Sequence, residues 1–110
     1  MMADLTTLDI LRWGRALFED PKRYGQDAFA RAADGVSVLP CDTCATRFCS
    51  EGFLLAIRDR FGISDARVYD YLDQCKMRPY SIAGTHDEGR KEALKMWDRA
   101  IALAEKENHD

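Results

Sequence analysis

The chain has 110 residues, 46% of them hydrophobic and 32% charged, with a formal net charge of −3 at pH 7. This size and balance predict one globular domain, residues 1–110, with a core over about 7–104. Interspersed acids and bases argue against a nucleic-acid partner. No stretch has the layout of a signal peptide or the roughly 18 apolar residues of a membrane span. We therefore expect a cytoplasmic protein without a membrane partner, whose four cysteines are reduced.

The first predicted helix begins at Thr6 or Thr7 and ends near Glu19. Thr6 and Asp9 have the spacing of a capping box, in which each side chain binds the other residue's backbone N–H. Pro21 cannot continue a helix, so the chain should turn there. The apolar positions that recur at helical spacing are Ile10, Trp13, Gly14 and Leu17.

A short two-stranded hairpin is predicted after this helix. Asp34 and Gly35 form a turn pair between two partly apolar stretches, residues 28–31 and 36–39. A two-stranded ribbon is not stable alone in water, so we expect it to lie against the helices.

Residues 45–57 are apolar on nearly every side of a helical projection, which predicts a central helix enclosed by its neighbours. We expect this helix to begin near residues 42–43 and to end at Phe61, with Gly62 as its C-terminal break. Gly52 in its interior lowers helix propensity, so its expected use is to let another backbone come close.

Two further helices are predicted. Ser64 should cap the third, which Pro79 ends, and Thr85 with Glu88 has capping-box spacing at the start of the last. Residues 105–110 should fray. The apolar stripes are Val68, Tyr71, Leu72 and Cys75 on the third helix and Ala93, Leu94, Trp97, Ala100, Ile101 and Ala104 on the last. The predicted fold class is α+β, a mainly helical domain of about four helices with a hairpin between the first and second.

Cys41 and Cys44 form a Cys-x-x-Cys motif between the predicted hairpin and the predicted central helix. At a helix N-terminus the helix dipole would lower the pKa of the Cys41 thiol, which is the basis of redox chemistry in such motifs. Redox motifs of this kind normally accompany βαβ units, and only one hairpin is predicted here. The sequence therefore favours two ordinary thiols.

Zinc is the alternative cofactor. Its ligands would be Cys41, Cys44, Cys49 and Cys75, with His86 able to replace one of them. The spacing lacks the paired knuckles of structural zinc sites, and a cysteine on an apolar helix stripe behaves as a small hydrophobe. We therefore expect no cofactor, with Cys49 and Cys75 buried.

His86 and Asp87 stand near the predicted start of the last helix. They could orient each other as a general base for a thiol nucleophile, but such residues at a helix start are typical of solvent-facing caps. Trp13, Trp97 and Tyr71 are expected in the core. The basic side chains alternate with acidic ones and give no continuous cationic face. They are Arg12, Arg15, Lys22, Arg23, Arg58 and Arg60.

Several short motifs occur in a fixed order: an aromatic residue, a hairpin turn, Phe-Cys-x-x-Gly, and an Asp before an Arg. Their residues are Tyr24, Gln26, Ala28, Asp34, Gly35, Phe48, Cys49, Gly52, Leu54, Asp87 and Arg90. Over residues 8–104 the chain resembles a family of small actinobacterial and phage proteins catalogued as a domain of unknown function. It differs at Tyr24, Phe53 and Thr85-His86, where that family has Trp, a small residue and Trp-Asn. The resemblance implies a shared fold and a phage context, and it implies no activity.

The resulting hypothesis is a small binding or inhibitory protein, not an enzyme. It would be encoded by a phage or prophage, for example as an antagonist of host defence, and would act on a protein partner. Its surface would combine the hairpin, residues 40–44 and acidic helix faces. The candidate contact residues are Arg31, Asp34, Asp42, Thr43, His86 and Asp87. The alternatives are a zinc- or thiol-dependent protein using Cys41 and Cys44, and a nucleic-acid-binding adaptor. A homodimer is left open.

Overall fold

The computed structural model of this chain describes residues 5–108, which form five helices and a three-stranded sheet. The helices are α1 (Thr7–Glu19), α2 (Ser50–Phe61), α3 (Ala66–Cys75), α4 (Ile82–Asp87) and α5 (Arg90–Asn108). The strands are β1 (Ala30–Arg31), β2 (Ser37–Val38) and β3 (Arg47–Phe48). The sheet is antiparallel with the order β2-β1-β3. The mainly helical α+β class is confirmed, and the hairpin lies between α1 and α2 as predicted.

Helix α1 begins and ends where the sequence predicts. Thr6 Oγ1 accepts a hydrogen bond from the Asp9 N–H at 3.0 Å, and the Asp9 carboxylate accepts from the Thr6 N–H at 3.1 Å. Asp20 takes an extended backbone before the proline, which stops the helix. Helix α1 packs most extensively on α5. Gly14 makes this approach possible, because a Cβ at that position would overlap the Trp97 ring.

The central helix begins at Ser50 and not near residues 42–43. Residues 47–48 instead form β3 and pair with β1. Cys49 is the N-cap of α2, and its Sγ accepts from the Gly52 N–H at 3.2 Å. The predicted start was therefore wrong. A short apolar run fits a buried strand as well as a helix, and only its pairing partner decides between them.

Gly52 serves the predicted purpose. A Cβ there would overlap the backbone carbonyl of Phe29, so only glycine lets the segment before β1 cross α2 this closely. At the other end of α2, Gly62 has a φ of 69° and ends the helix after Phe61 as a left-handed cap.

Residues 82–87 form α4, a separate helix that the sequence did not predict. Ser81 is its N-cap. Thr85 lies buried within it, where its hydroxyl donates to the Ser81 carbonyl and accepts from the Met77 N–H, both at 2.9 Å. The predicted capping box of Thr85 with Glu88 is therefore wrong.

Helices α3 and α5 follow the predicted stripes but differ at their ends. Asp65, rather than Ser64, is the N-cap of α3. Helix α5 continues through residues 105–108, which were expected to fray, and the Tyr71 hydroxyl donates to the Glu107 carboxylate at 3.2 Å. Residues 109–110, the last two for which fraying was predicted, lie outside the described residues.

The most completely buried core side chains include Leu11, Phe18, Leu72, Trp97, Ala100 and Ala104. None of the helices in residues 5–108 is long and apolar enough to cross a membrane.

Candidate functional site

A buried chain of hydrogen bonds joins α2, α4 and α5. The Trp97 Nε1–H donates to Ser50 Oγ at 2.9 Å, and Ser50 Oγ lies 2.7 Å from His86 Nδ1. His86 Nε2 lies 2.8 Å from the Gly25 carbonyl oxygen. A carbonyl oxygen only accepts, so Nε2 carries the proton and Nδ1 accepts from the Ser50 hydroxyl. The polar side-chain atoms of Ser50, His86 and Trp97 therefore all have partners.

The pairing of Ser50 with His86 has the residue types of a nucleophile and its base, but its burial makes it part of the core. Ser50, His86 and Trp97 each have 0% exposure. Burial lowers the pKa of His86 to about 4, so the ring is neutral near pH 7. The ring also stacks on Tyr24 with centroids 4.4 Å apart. His86 was expected to be a solvent-facing cap and a partner contact, and both expectations are wrong.

The hydrogen bonds continue outward from His86 to the start of the hairpin. The Tyr24 hydroxyl donates to the His86 carbonyl. The Gln26 side-chain amide donates to the Tyr24 hydroxyl at 2.8 Å and to the Asp87 carbonyl at 2.9 Å. The Asp27 N–H then donates to Asp87 Oδ1 at 3.4 Å. These bonds fix α4 against residues 24–27 and so bring Asp87 to the surface beside the hairpin.

A groove of about 860 Å³ opens at this place, between the hairpin, the turn after β2 and α4. Its lining is mostly apolar, and two of its side chains are unusually exposed for their type, with Phe29 at 50% and Leu39 at 65%. The lining residues are Asp27, Ala28, Phe29, Ser37, Val38, Leu39, Pro40, Asp42, Cys49, Ala83 and Asp87. We call this feature the hairpin groove. Its volume is in the upper part of the range typical of ligand pockets, about 300–1,000 Å³.

The charged side chains that line the hairpin groove within the described chain are three carboxylates. Partial burial raises the pKa of Asp87, and the nearby charge of Asp27 adds to the rise while the Asp27 N–H opposes it. Asp42 accepts from the Leu39 N–H at 3.3 Å, which shapes the turn. In residues 5–108 none of these carboxylates forms an ion pair.

The structure brings Asp42 and Asp87 together in the hairpin groove and separates the other predicted contact residues. The Arg31 guanidinium donates to the Gln26 and Gly35 carbonyls and so links β1 to the segment before it and to the hairpin turn. Asp34 accepts from the Val36 N–H at 3.1 Å and shapes the turn. Thr43 is exposed on the turn beyond the groove lining.

Sequence reasoning missed Phe29, Leu39 and Asp27 as groove residues. Strand alternation was the available signal for Phe29, because a large apolar residue next to the buried Ala30 is expected to face the opposite side. The position of Asp27 carried no comparable signal, since its proximity to Asp87 depends on the contact between α4 and the hairpin.

The four cysteines lie in three different environments. Cys41 and Cys44 are both exposed in the turn between β2 and β3. They do not stand at the start of α2, so the predicted dipole effect on Cys41 is wrong. Cys49 is buried as predicted, and burial raises the pKa of its thiol. Cys75 is only half-buried, which corrects its predicted burial, and partial burial likewise raises its pKa.

The proposed zinc ligands do not converge in the described part of the chain. Residues 5–108 contain no group of three or more His, Cys, Asp or Glu side chains placed to hold one metal ion. His86, the proposed substitute ligand, uses both ring nitrogens in the buried hydrogen bonds described above.

Three of the basic side chains on α1 and α2 are matched by acidic neighbours. Arg12 pairs with Glu105 at 2.8 Å, and Arg58 pairs with Asp59 at 3.0 Å. Arg15 pairs with Asp98 at 2.8 Å, which raises the pKa of its guanidinium. Such pairing leaves these side chains without the shared cationic face that a nucleic-acid backbone requires.

Comparison of the chain with protein-family models, curated proteins and solved structures gives no match in any of the three.

Proposed function

We propose that this protein is a non-catalytic binding protein that engages a protein partner through the hairpin groove. The observation that carries the proposal is a mostly apolar groove of about 860 Å³ with Phe29 and Leu39 half or more exposed at its sides. Exposed apolar side chains grouped around a concavity are typical of binding sites, whereas isolated ones are common everywhere on protein surfaces.

The scaffold beneath the groove supports this use. Hydrogen bonds from Tyr24 and Gln26 hold α4 against residues 24–27, and the Cys49 N–H donates to the Phe29 carbonyl at 3.2 Å, where Gly52 leaves room for that backbone. A groove that is formed before binding loses less conformational entropy when a partner is bound. An inhibitory action, a phage or prophage origin and a cytoplasmic location belong to the same proposal, and the sequence resemblance and composition are their support.

Affinity capture from host lysate tests the proposal with a matched pair of variants. The groove variant combines Phe29→Ser with Leu39→Ser. The control is Phe61→Ser, because Phe61 is 52% exposed and lies at the end of α2 outside the groove lining. We expect the wild type and the control to retain a partner at near-stoichiometric level, and the groove variant to lose about tenfold or more of it. Equal retention by the groove variant, or no stoichiometric partner, would contradict the proposal.

The second candidate is a thiol- or zinc-dependent function, which is favoured by the exposure of both Cys41 and Cys44 in one turn. Metal analysis of protein purified without an affinity tag tests it. This candidate predicts about one zinc per chain, lost in the double variant Cys41→Ser with Cys44→Ser. A metal content near zero, with unchanged partner capture by the double variant, would leave the hairpin groove as the preferred site.

A further inference from the structure

An edge strand of the sheet borders the hairpin groove. Strand β2 is an edge strand, and Ser37 and Val38 both line the groove. The Ala32 N–H donates to the Val36 carbonyl at 2.9 Å, which makes this a hydrogen-bonded pair. Because such pairs alternate along an antiparallel ladder, the Ser37 pair with Arg31 is a non-hydrogen-bonded one, and the Ser37 N–H and C=O point away from β1. Ser37 thus offers one outward backbone donor and one acceptor to an extended segment, and the edge ends there because the Leu39 N–H and C=O are bonded to Asp42.

The charged side chains in the groove lining have one sign. Asp27, Asp42 and Asp87 line the groove. The guanidinium groups of Arg31 and Arg60 are bound to backbone carbonyls: Arg31 to Gln26 and Gly35, and Arg60 to Asp42. An occupant that brought positive charge would meet carboxylates that have no ion pair within residues 5–108. It would also relieve the mutual repulsion of Asp27 and Asp87, which contributes to the raised pKa of Asp87.

We propose that the hairpin groove binds an extended peptide segment in which apolar residues alternate with Lys or Arg. The segment lies beside Ser37, its apolar side chains contact Phe29 and Leu39, and its cationic side chains reach Asp27 and Asp87. This inference rests on the proposed binding function and adds the chemistry of the partner. Alternating side chains suit this site because a strand directs successive residues to opposite sides, and the groove lining offers both apolar side chains and carboxylates.

A metal ion and a second copy of the chain are less suited to the same groove. The described residues offer no group of three or more metal-ligating side chains, and most of the groove lining is apolar. A second copy would bring another acidic molecule, of formal charge −3, to an acidic groove. The charges therefore favour a cationic segment from another protein.

Fluorescence anisotropy with three labelled heptapeptides tests the inference. The probes alternate leucine with lysine, with glutamine or with glutamate, so that only the charge changes. We expect the lysine peptide to bind about tenfold or more tightly than the glutamate peptide, with the glutamine peptide between them. The lysine preference should shrink between about 50 mM and 300 mM salt, because screening weakens interactions of exposed charges.

The decisive variant is Asp27→Asn with Asp87→Asn. Asn tolerates the positive φ of Asp27, which is 62°, and its side-chain oxygen can still accept the hydrogen bond at position 87. The control is Asp59→Asn with Asp70→Asn, which removes two exposed carboxylates outside the groove lining. We expect the groove variant to lose about three- to tenfold in affinity for the lysine peptide and the control to lose none.

The outcomes separate this inference from the proposed function. Equal affinity for the three peptides, abolished by Leu39→Ser, would overturn the charge preference and leave groove binding intact. Failure of all three peptides to bind, with groove-dependent capture from lysate, would also overturn the inference alone. Concentration-dependent dimerisation lost in Leu39→Ser would assign the groove to a second copy and overturn it. If neither peptides nor lysate proteins depend on the groove, both proposals fail.

Discussion

His86 and Asp87 are adjacent in α4 but belong to opposite regions of the molecule. His86 has 0% exposure and is held by Ser50 and Gly25, whereas Asp87 is partly exposed and lines the hairpin groove without an ion pair among the described residues. Both pKa values are shifted by burial, downward for the histidine and upward for the aspartate, so each shift opposes the charged form. The comparison shows that environment, and not residue type, assigns one titratable group to the core and the next to the surface. Four predictions probe this division.

The largest effect is expected for Trp97→Ala. This change opens a cavity beneath α1, where Gly14 faces the indole ring, and removes the donor to Ser50. We expect a loss of about 3–5 kcal/mol in the free energy of unfolding, measured by urea denaturation. Trp97→Phe retains most of the ring and should lose about 1–3 kcal/mol. A loss below about 1 kcal/mol for the alanine variant would contradict the assignment of this region as the core.

Acid should destabilise the protein through His86. Its pKa is about 4 in the folded state and near 6.5 when exposed, so the unfolded chain binds more protons between these values. The stability that depends on the neutral ring is fully present above about pH 6.5 and is lost as the pH falls towards 4. We expect a decrease of about 3 kcal/mol in the free energy of unfolding over this window.

Urea denaturation at a series of pH values, with His86→Asn as the comparison variant, measures this effect. The variant should be less stable at pH 7 and should lack the decrease that the wild type shows between about pH 6.5 and 4.5. Asp87 acts in the opposite direction, because its raised pKa favours the folded state as pH falls, and Asp87→Asn should steepen the decrease. An equal pH dependence in wild type and His86→Asn would rule out His86 as its source.

Gly52→Ala should disturb both regions. The added Cβ would overlap the Phe29 carbonyl, so the segment that forms one side of the groove must move away from α2. We expect a loss of about 1–3 kcal/mol together with weaker binding to the groove. Gly62→Asn is the control, because Asn adopts the left-handed conformation and nothing lies near a Cβ there; it should lose about 1 kcal/mol or less and leave binding unchanged.

The smallest effect on stability is expected for Leu39→Ser. With 65% of its surface exposed, Leu39 buries little area, and the change should alter the free energy of unfolding by about 0.5 kcal/mol or less. Partner capture should nevertheless fall, which thermal denaturation and affinity capture on the same preparation would show. A large loss of stability would place Leu39 in the core and remove it from the proposed binding surface.

Predictions from the sequence were most accurate where structure depends on residues close in the chain. The capping box of Thr6 with Asp9, the turn at Asp34 and the end of α2 at Gly62 all follow from local chemistry. The start of α2 could not be predicted in this way, because residues 47–48 become a strand only by pairing with β1. Long-range contacts of this kind override local helix and strand preference.

The site shows the same limit. Asp42 and Asp87 were named from the sequence and do line the groove. His86 was assigned to the surface because its polar neighbours in the sequence suggested a helix start, and no local pattern could reveal its contacts with Ser50 and Gly25, which are 36 and 61 residues away. The prediction that it contacts a partner failed for that reason.

The buried Cys49 thiol at the start of α2 can report local unfolding of that part of the molecule. Cys49 receives the Gly52 N–H and is 4% exposed, whereas Cys41 and Cys44 are open to reagents. Alkylation should therefore modify the two turn thiols quickly and reach Cys49 only when the end of α2 unravels. The difference between these labelling rates would report how often the structure opens locally behind the groove.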